Sequence, residues 1–160
     1  FHVQNLELVL LALAQARRVI VGVTNPDAAE RHAHPASPHR HLASANPFTY
    51  AQRRLAIAAA LVAAGVDTSR YAIEPFPLDA PERWPAIVPP GTPQFVRVYS
   101  DWEREKVRRF EAAGYPAIVL AGDEATRVSG TEIRRRIADG QPWSAWVPAG
   151  AREMVQSWLA

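Results

Sequence analysis

The stretch SGTEIRRR, Ser129 to Arg136, carries the densest chemistry in the chain. A helix N-terminus presents unpaired backbone N–H groups and the positive end of a dipole, so it attracts anions. Ser129, Gly130 and Thr131 add hydroxyls and close backbone approach, and Arg134, one turn in, can reach back to the same place. A triphosphate would fit there. The same letters also suit a capped surface helix with an exposed basic face. A second stretch, NPFTYAQRR, joins an Asn46-Pro47 turn and Phe48 to a helix start with Arg53 in its first turn. The third candidate is His2, placed just ahead of a helix, where an imidazole can donate to a bound phosphate or serve a purely structural purpose.

These residues must be held by a scaffold, and the apolar pattern suggests which one. Leu6, Val9, Leu10 and Leu13 recur at helical spacing, predicting a first helix that stops near Arg17 and Arg18. VIVGV, Val19 to Val23, is a β-branched run of the kind found in strands buried on both faces. Residues 24–45 hold three prolines, four histidines and no apolar period, and read as one long surface loop. Thr49 and Gln52 spell a capping box for a helix that ends at Gly65. Strands are expected at Ala72 to Phe76, Phe95 to Tyr99 and Pro116 to Leu120, the last short and buried. Helices are expected at Trp102 to Ala113, from a second capping box at Ser129 and Glu132, and from about Gly150 to Leu159.

Strands alternating with helices at this spacing imply βαβ crossovers and a single Rossmann-like, doubly wound parallel α/β sheet spanning residues 1–160. A phosphate-binding domain of this class normally sets a strand and a turn before its first helix, so a first strand upstream of residue 1 is expected.

Composition narrows the class further. At 160 residues with 48% hydrophobic and 21% charged content, the chain suits one soluble globular domain. The apolar run from Leu8 to Ala14 is far shorter than the roughly 20 residues of a membrane span, and no signal peptide is visible, so a cytoplasmic location and no membrane partner are expected. Without cysteine there is no thiolate metal site. The formal net charge of +2 gives nucleic-acid binding little support. Lys106 is the single lysine among 18 basic Lys and Arg residues, a bias that GC-rich coding explains as well as any phosphate site does. His32, His34, His39 and His41 form two His-x-His pairs separated by prolines, with no carboxylate spaced to complete a metal site. A loop whose imidazoles, with Arg31 or Arg40, touch substrate phosphate is the functional alternative to a solvated loop.

Taken in order, FHVQNL, NPFTYAQR, ERWPAIVPP, RVYS, SGTEIRRR and WVPAG resemble the archaeal-type nicotinamide-nucleotide adenylyltransferases of the H-x-G-H nucleotidyltransferase superfamily. That family carries PFHxGHL, NPFTxxER, a tryptophan loop with a PP turn, V-Y-S, SGTEIRRR and a V-P-x-x-V tail. The resemblance covers most of the chain. It implies that His2, Ser129, Gly130, Thr131 and Arg134 bind the nucleotide phosphates, with His2, Asn5 and Arg134 at the catalytic centre. It further implies that Thr24, Asn25, Asn46, Phe48, Arg53 and Trp84 lie on the acceptor side, Trp84 near a nicotinamide pocket.

The implied reaction is transfer of a nucleoside monophosphate from a triphosphate (ATP or CTP) to the phosphate of a small acceptor, with pyrophosphate leaving. Mg²⁺ would be held mainly by substrate phosphates, and no protein metal site is expected. A homo-oligomer is compatible with the family, though no interface can be read from the sequence. Two departures stand out. Gln4-Asn5 replaces Gly-His, removing an ionisable side chain, and Thr24-Asn25-Pro26-Asp27 replaces a Gly-Ser step. Similar H-x-x-N and TNPD combinations resemble actinobacterial relatives, cytidylyltransferases acting on phosphonates among them. NMN adenylyltransferase is thus the first expectation, a phosphonate or phosphate cytidylyltransferase the second, and a nucleotide-binding domain without catalysis the third.

Overall fold

A computed structural model describes every residue except Ala28, Glu30, His32, His34, 36–40 and Ala160. The expectations for His32, His34, His39 and Arg40 therefore fall outside the described residues. The elements run α1 (Val3–Gln15), β1 (Val19–Thr24), α2 (Tyr50–Ala63), β2 (Tyr71–Phe76), β3 (Gln94–Val98), α3 (Asp101–Ala112), β4 (Ala117–Ala121), α4 (Gly130–Ala138) and α5 (Ala149–Leu159). Every helix and strand predicted within residues 1–160 is present. Short 3₁₀ turns, such as 68–70 and 81–86, were not foreseen. Among the described residues no helix is long and apolar enough to cross a membrane.

The chain divides into two compact units. The first comprises Phe1–Val23, Phe48–Ile73 and Val128–Ala160. There β1 pairs with β2, and Val9, Leu13, Val23, Ile57, Leu61, Tyr71 and Ile73 form one apolar core. Leu10 does not join them; it is 38% exposed, and Ala12 is buried instead. A second cluster, Ala56, Ile133, Val147, Ala151 and Val155, binds α2, α4 and α5 together. Gly150 makes this packing tight, because a Cβ there would overlap the Ala59 carbonyl oxygen and stand 2.6 Å from the Ala63 Cβ. Arg70 closes the far end of α1, its guanidinium donating to the carbonyls of Leu13 (2.7 Å), Ala16 (3.0 Å) and Arg17 (2.8 Å). That supplies the positive charge a helix C-terminus favours and that α1's own last turn lacks.

The second unit comprises Thr24–Pro47 and Glu74–Arg127. Its β3 and β4 pair in parallel, Gln94 with Ala117 through Val98 with Ala121, and α3 crosses between them and packs on both. This is one right-sized βαβ unit, as the strand–helix spacing implied. Its core is built on Trp84, only 1% exposed and ringed by Phe76, Phe110 and Tyr115 at centroid distances of 5.2, 5.2 and 5.8 Å.

Strand burial differs from expectation. In β1 only Val23 is buried, and in β4 Val119 is 52% exposed. β-branched residues report a preference for extended backbone, whereas burial depends on what packs over each face.

Candidate functional site

The site assembles in the first unit at the start of two helices. His2 takes extended backbone (φ −123°, ψ 176°) and its carbonyl receives the N–H groups of Asn5 (2.9 Å) and Leu6 (3.1 Å). Asn5 returns the favour: its Oδ1 accepts the His2 N–H at 3.0 Å. The amide that stands in place of the expected histidine is thus engaged in capping its own helix, leaving its NH₂ as the donor it can offer elsewhere.

At α4, Ser129 caps the helix by accepting the Glu132 N–H at 3.1 Å. The predicted capping box closes only by half. The Glu132 carboxylate turns away to Arg135 (2.7 and 2.8 Å) and Arg136 (3.0 Å). The Arg135 hydrogen bond, aided by that to Arg136, outweighs partial burial and holds the carboxyl down at about 2. Among the described residues no acceptor meets the N–H groups of Ser129, Gly130 or Thr131.

The three consecutive arginines therefore separate into different roles. Arg135 pairs with Glu132 and Asp139. Arg136 pairs with Glu132 and lies over the Trp146 ring at 4.1 Å. Arg134 reaches back instead, donating to the Thr131 hydroxyl at 3.1 Å, and has no carboxylate partner among the described residues. Burial lowers its pKa, which means its charge is partly stripped of water. Its Nη1 would stand 3.1 Å from a Cβ at position 130, so the glycine leaves the guanidinium its place over the helix end.

Arg53, from the first turn of α2, shares this neighbourhood. The positive charges of both Arg53 and Arg134 reach Phe1. Two guanidinium groups from separate helices thus act on the residue beside His2. Of the expected site residues, the first unit holds His2, Asn5, Phe48, Arg53, Ser129, Gly130, Thr131 and Arg134.

Phe48 and the remaining candidates are placed otherwise. Phe48 packs on the α5 cluster, its ring 5.4 Å from that of Trp158, as a half-buried wedge. Trp84 requires a correction. Its indole N–H donates to the Pro77 carbonyl at 2.8 Å and its rings are enclosed, so it offers no face to an acceptor. Thr24, Asn25 and Asn46 belong to the second unit. Asn25 adopts the left-handed region (φ 51°), which asparagine tolerates better than most residues. Among the described residues no group of three or more His, Asp or Glu is arranged to hold a metal ion.

One contact between the two helix starts had no sequence signal beyond the departure from the family motif. Gln4 Oε1 accepts the backbone N–H of Val128 at 2.9 Å, across 124 positions.

The fold is Rossmann-like. A bifunctional NMN adenylyltransferase/ADP ribose pyrophosphatase from Francisella tularensis matches 98% of this chain with a TM-score of 0.69 at 17% identity, and the chain spans 46% of that protein. No protein-family model matches the chain. Phosphonoformate cytidylyltransferase from Streptomyces viridochromogenes is 38% identical over 155 residues, which are 97% of this chain and 84% of that protein. Nicotinamide-nucleotide adenylyltransferase from Thermococcus kodakarensis is 28% identical over 156 residues, 97% of this chain and 74% of that protein. The chain belongs to the nucleotidyltransferase family that contains these enzymes.

Proposed function

We propose that the enzyme transfers CMP from CTP to a small phosphonate or phosphate, with the cradle at the start of α4 holding the triphosphate. The observation that carries the phosphate assignment is Arg134: a partly desolvated cation without a carboxylate partner among the described residues, folded back over three N–H groups that meet no acceptor. A polyanion satisfies all of these at once.

The acceptor oxygen attacks the α-phosphorus, the bond to the β-phosphate oxygen breaks, and pyrophosphate departs. An acceptor phosphate monoester has its second pKa near about 6, so it is largely dianionic at neutral pH and needs no enzymatic base. The protein's task is to align reactants and stabilise developing charge. Arg134 and the α4 N-terminus meet charge on the leaving phosphates, His2 donates to the phosphates, and Asn5 contributes a neutral donor. Mg²⁺ carried by the substrate phosphates would neutralise the leaving group.

Two observations favour the cytidylyl reading over NMN adenylyl transfer. The similarity to phosphonoformate cytidylyltransferase is the higher of the two reported, 38% against 28%. Trp84, which the resemblance places near nicotinamide, is a core residue here. Transfer of AMP to NMN remains the second reading, carried by the similarity along 97% of the chain to adenylyltransferases of that specificity. Incubation with each of the four triphosphates against NMN, nicotinate mononucleotide and small phosphonates, followed by pyrophosphate release, tests both. Release requiring CTP and a phosphonate supports the first, and release only with ATP and NMN replaces it with the second. Nucleotide binding without release from any pair would make the chain a non-catalytic binding domain.

A further inference from the structure

We infer that Gln4 is a positioning residue that fixes the α4 phosphate cradle against the start of α1; this rests on the reading of Ser129–Arg134 as the cradle. The bond from the Val128 N–H to Gln4 Oε1 is 2.9 Å long and partly buried. Val128 stands immediately before the N-cap Ser129, so its amide is the last backbone group ahead of the open N–H cluster. Its side chain packs on the cluster around Ile133. The residue is therefore pinned from two sides, by apolar contact toward α4 and by a hydrogen bond toward α1.

The chemistry favours glutamine for this task. The role needs an acceptor on a side chain long enough to leave α1, which glutamine and glutamate both provide. Glutamate would set a negative charge close to Arg134 and the open amides, where it would compete with an anionic ligand; the neutral amide does not. Glycine, the residue of the resembling family motif, has no side chain and cannot make the bond. Gln4 and Asn5 thus each accept one fixed hydrogen bond at the site, Gln4 from the Val128 N–H beside the cradle and Asn5 from the His2 N–H. Fixed dipoles that need no rearrangement are one way to hold a site ready for charge.

Gln4→Met keeps length and helix preference but removes the acceptor. Three readings are taken on the intact protein: amide exchange at Val128 by NMR, CTP and ATP binding by calorimetry, and steady-state kinetics. The expected result is Val128 exchange accelerated about tenfold or more and a triphosphate KM raised about tenfold, the scale of one lost partly buried hydrogen bond, with kcat within about twofold of wild type. Gln4→Glu, which retains an acceptor oxygen, is expected to restore slow Val128 exchange. Unchanged exchange in Gln4→Met, or faster exchange with unchanged triphosphate KM and affinity, overturns the inference. The cradle itself is judged separately. If Arg134→Ala leaves triphosphate binding intact, the reading of Ser129–Arg134 fails; if Arg134→Ala abolishes binding while Gln4→Met does not weaken it, only the positioning role falls.

Discussion

Helices α3 and α4 begin with the same serine-x-x-glutamate spelling and finish it in opposite ways. At α3, Glu103 turns back to its cap: Oε2 accepts the Ser100 N–H at 2.8 Å and the Ser100 hydroxyl at 2.6 Å, and the residue is buried. Burial pushes this carboxyl up, but the Ser100 hydrogen bonds and the charges of Lys106 and Arg127 together hold it below the ordinary range. At α4, Glu132 is drawn off by the arginines three and four positions on. At α3 the carboxylate takes the N–H of its own cap residue, whereas at α4 it leaves the Ser129 N–H to another acceptor. The motif signals where a helix begins, while the residues one turn later decide whether its amides remain available.

Arg134→Ala removes the cation from the start of α4 and is expected to lower kcat by about two to three orders of magnitude, the loss typical of one charge-stabilising donor. Turnover within tenfold of wild type would place the cradle elsewhere. At α3, Glu103→Ala is expected to cost about 2 kcal/mol in urea denaturation, since it deprives both Ser100 donors of their acceptor. A loss below about 0.5 kcal/mol would mean that the closed box does not support the fold.

Combining Arg135→Gln with Arg136→Gln converts one case toward the other. With its two partners gone, Glu132 is free to accept the Ser129 N–H, and triphosphate affinity should fall by three- to tenfold, roughly 1 kcal/mol. Calorimetry showing unchanged affinity would dismiss the idea that the arginines keep the box open. The smallest effect expected is in acid. Because the folded protein holds the Glu103 carboxyl below its ordinary 4.5, the unfolded chain binds more protons there. The stabilisation is then complete above about 4.5 and fades as pH falls through the depressed value. Denaturation midpoints followed from pH 6 downward should show a shallower acid slope in Glu103→Gln than in wild type.

Element positions were legible because caps and turn glycines announce themselves: Thr49 with Gln52 starts α2, and Gly65 and Gly114 take positive φ just past α2 and α3. The gathering of His2 with the Ser129–Arg134 stretch was also legible, through motif order. Other features were not. Three adjacent arginines look alike as letters, yet successive helix positions point about 100° apart, so each met a different partner. Trp84 carried a family expectation that could not reveal how completely Phe76, Phe110 and Tyr115 would enclose it. The reach of Gln4 to Val128 depends on two helix starts meeting in space, which no local pattern encodes.

The contact at Gly150 bears on how this sequence can drift. Where α5 meets α2, the glycine faces Ala59 and Ala63, and even a methyl group has no room. An enlargement on one helix could be tolerated only by trimming the other, and neither glycine nor alanine leaves much to trim. The abundance of small residues here, which genome composition alone would explain, is at this crossing a demand of shape. Mutational pressure that tinkers freely with the surface should find these positions among the last to yield.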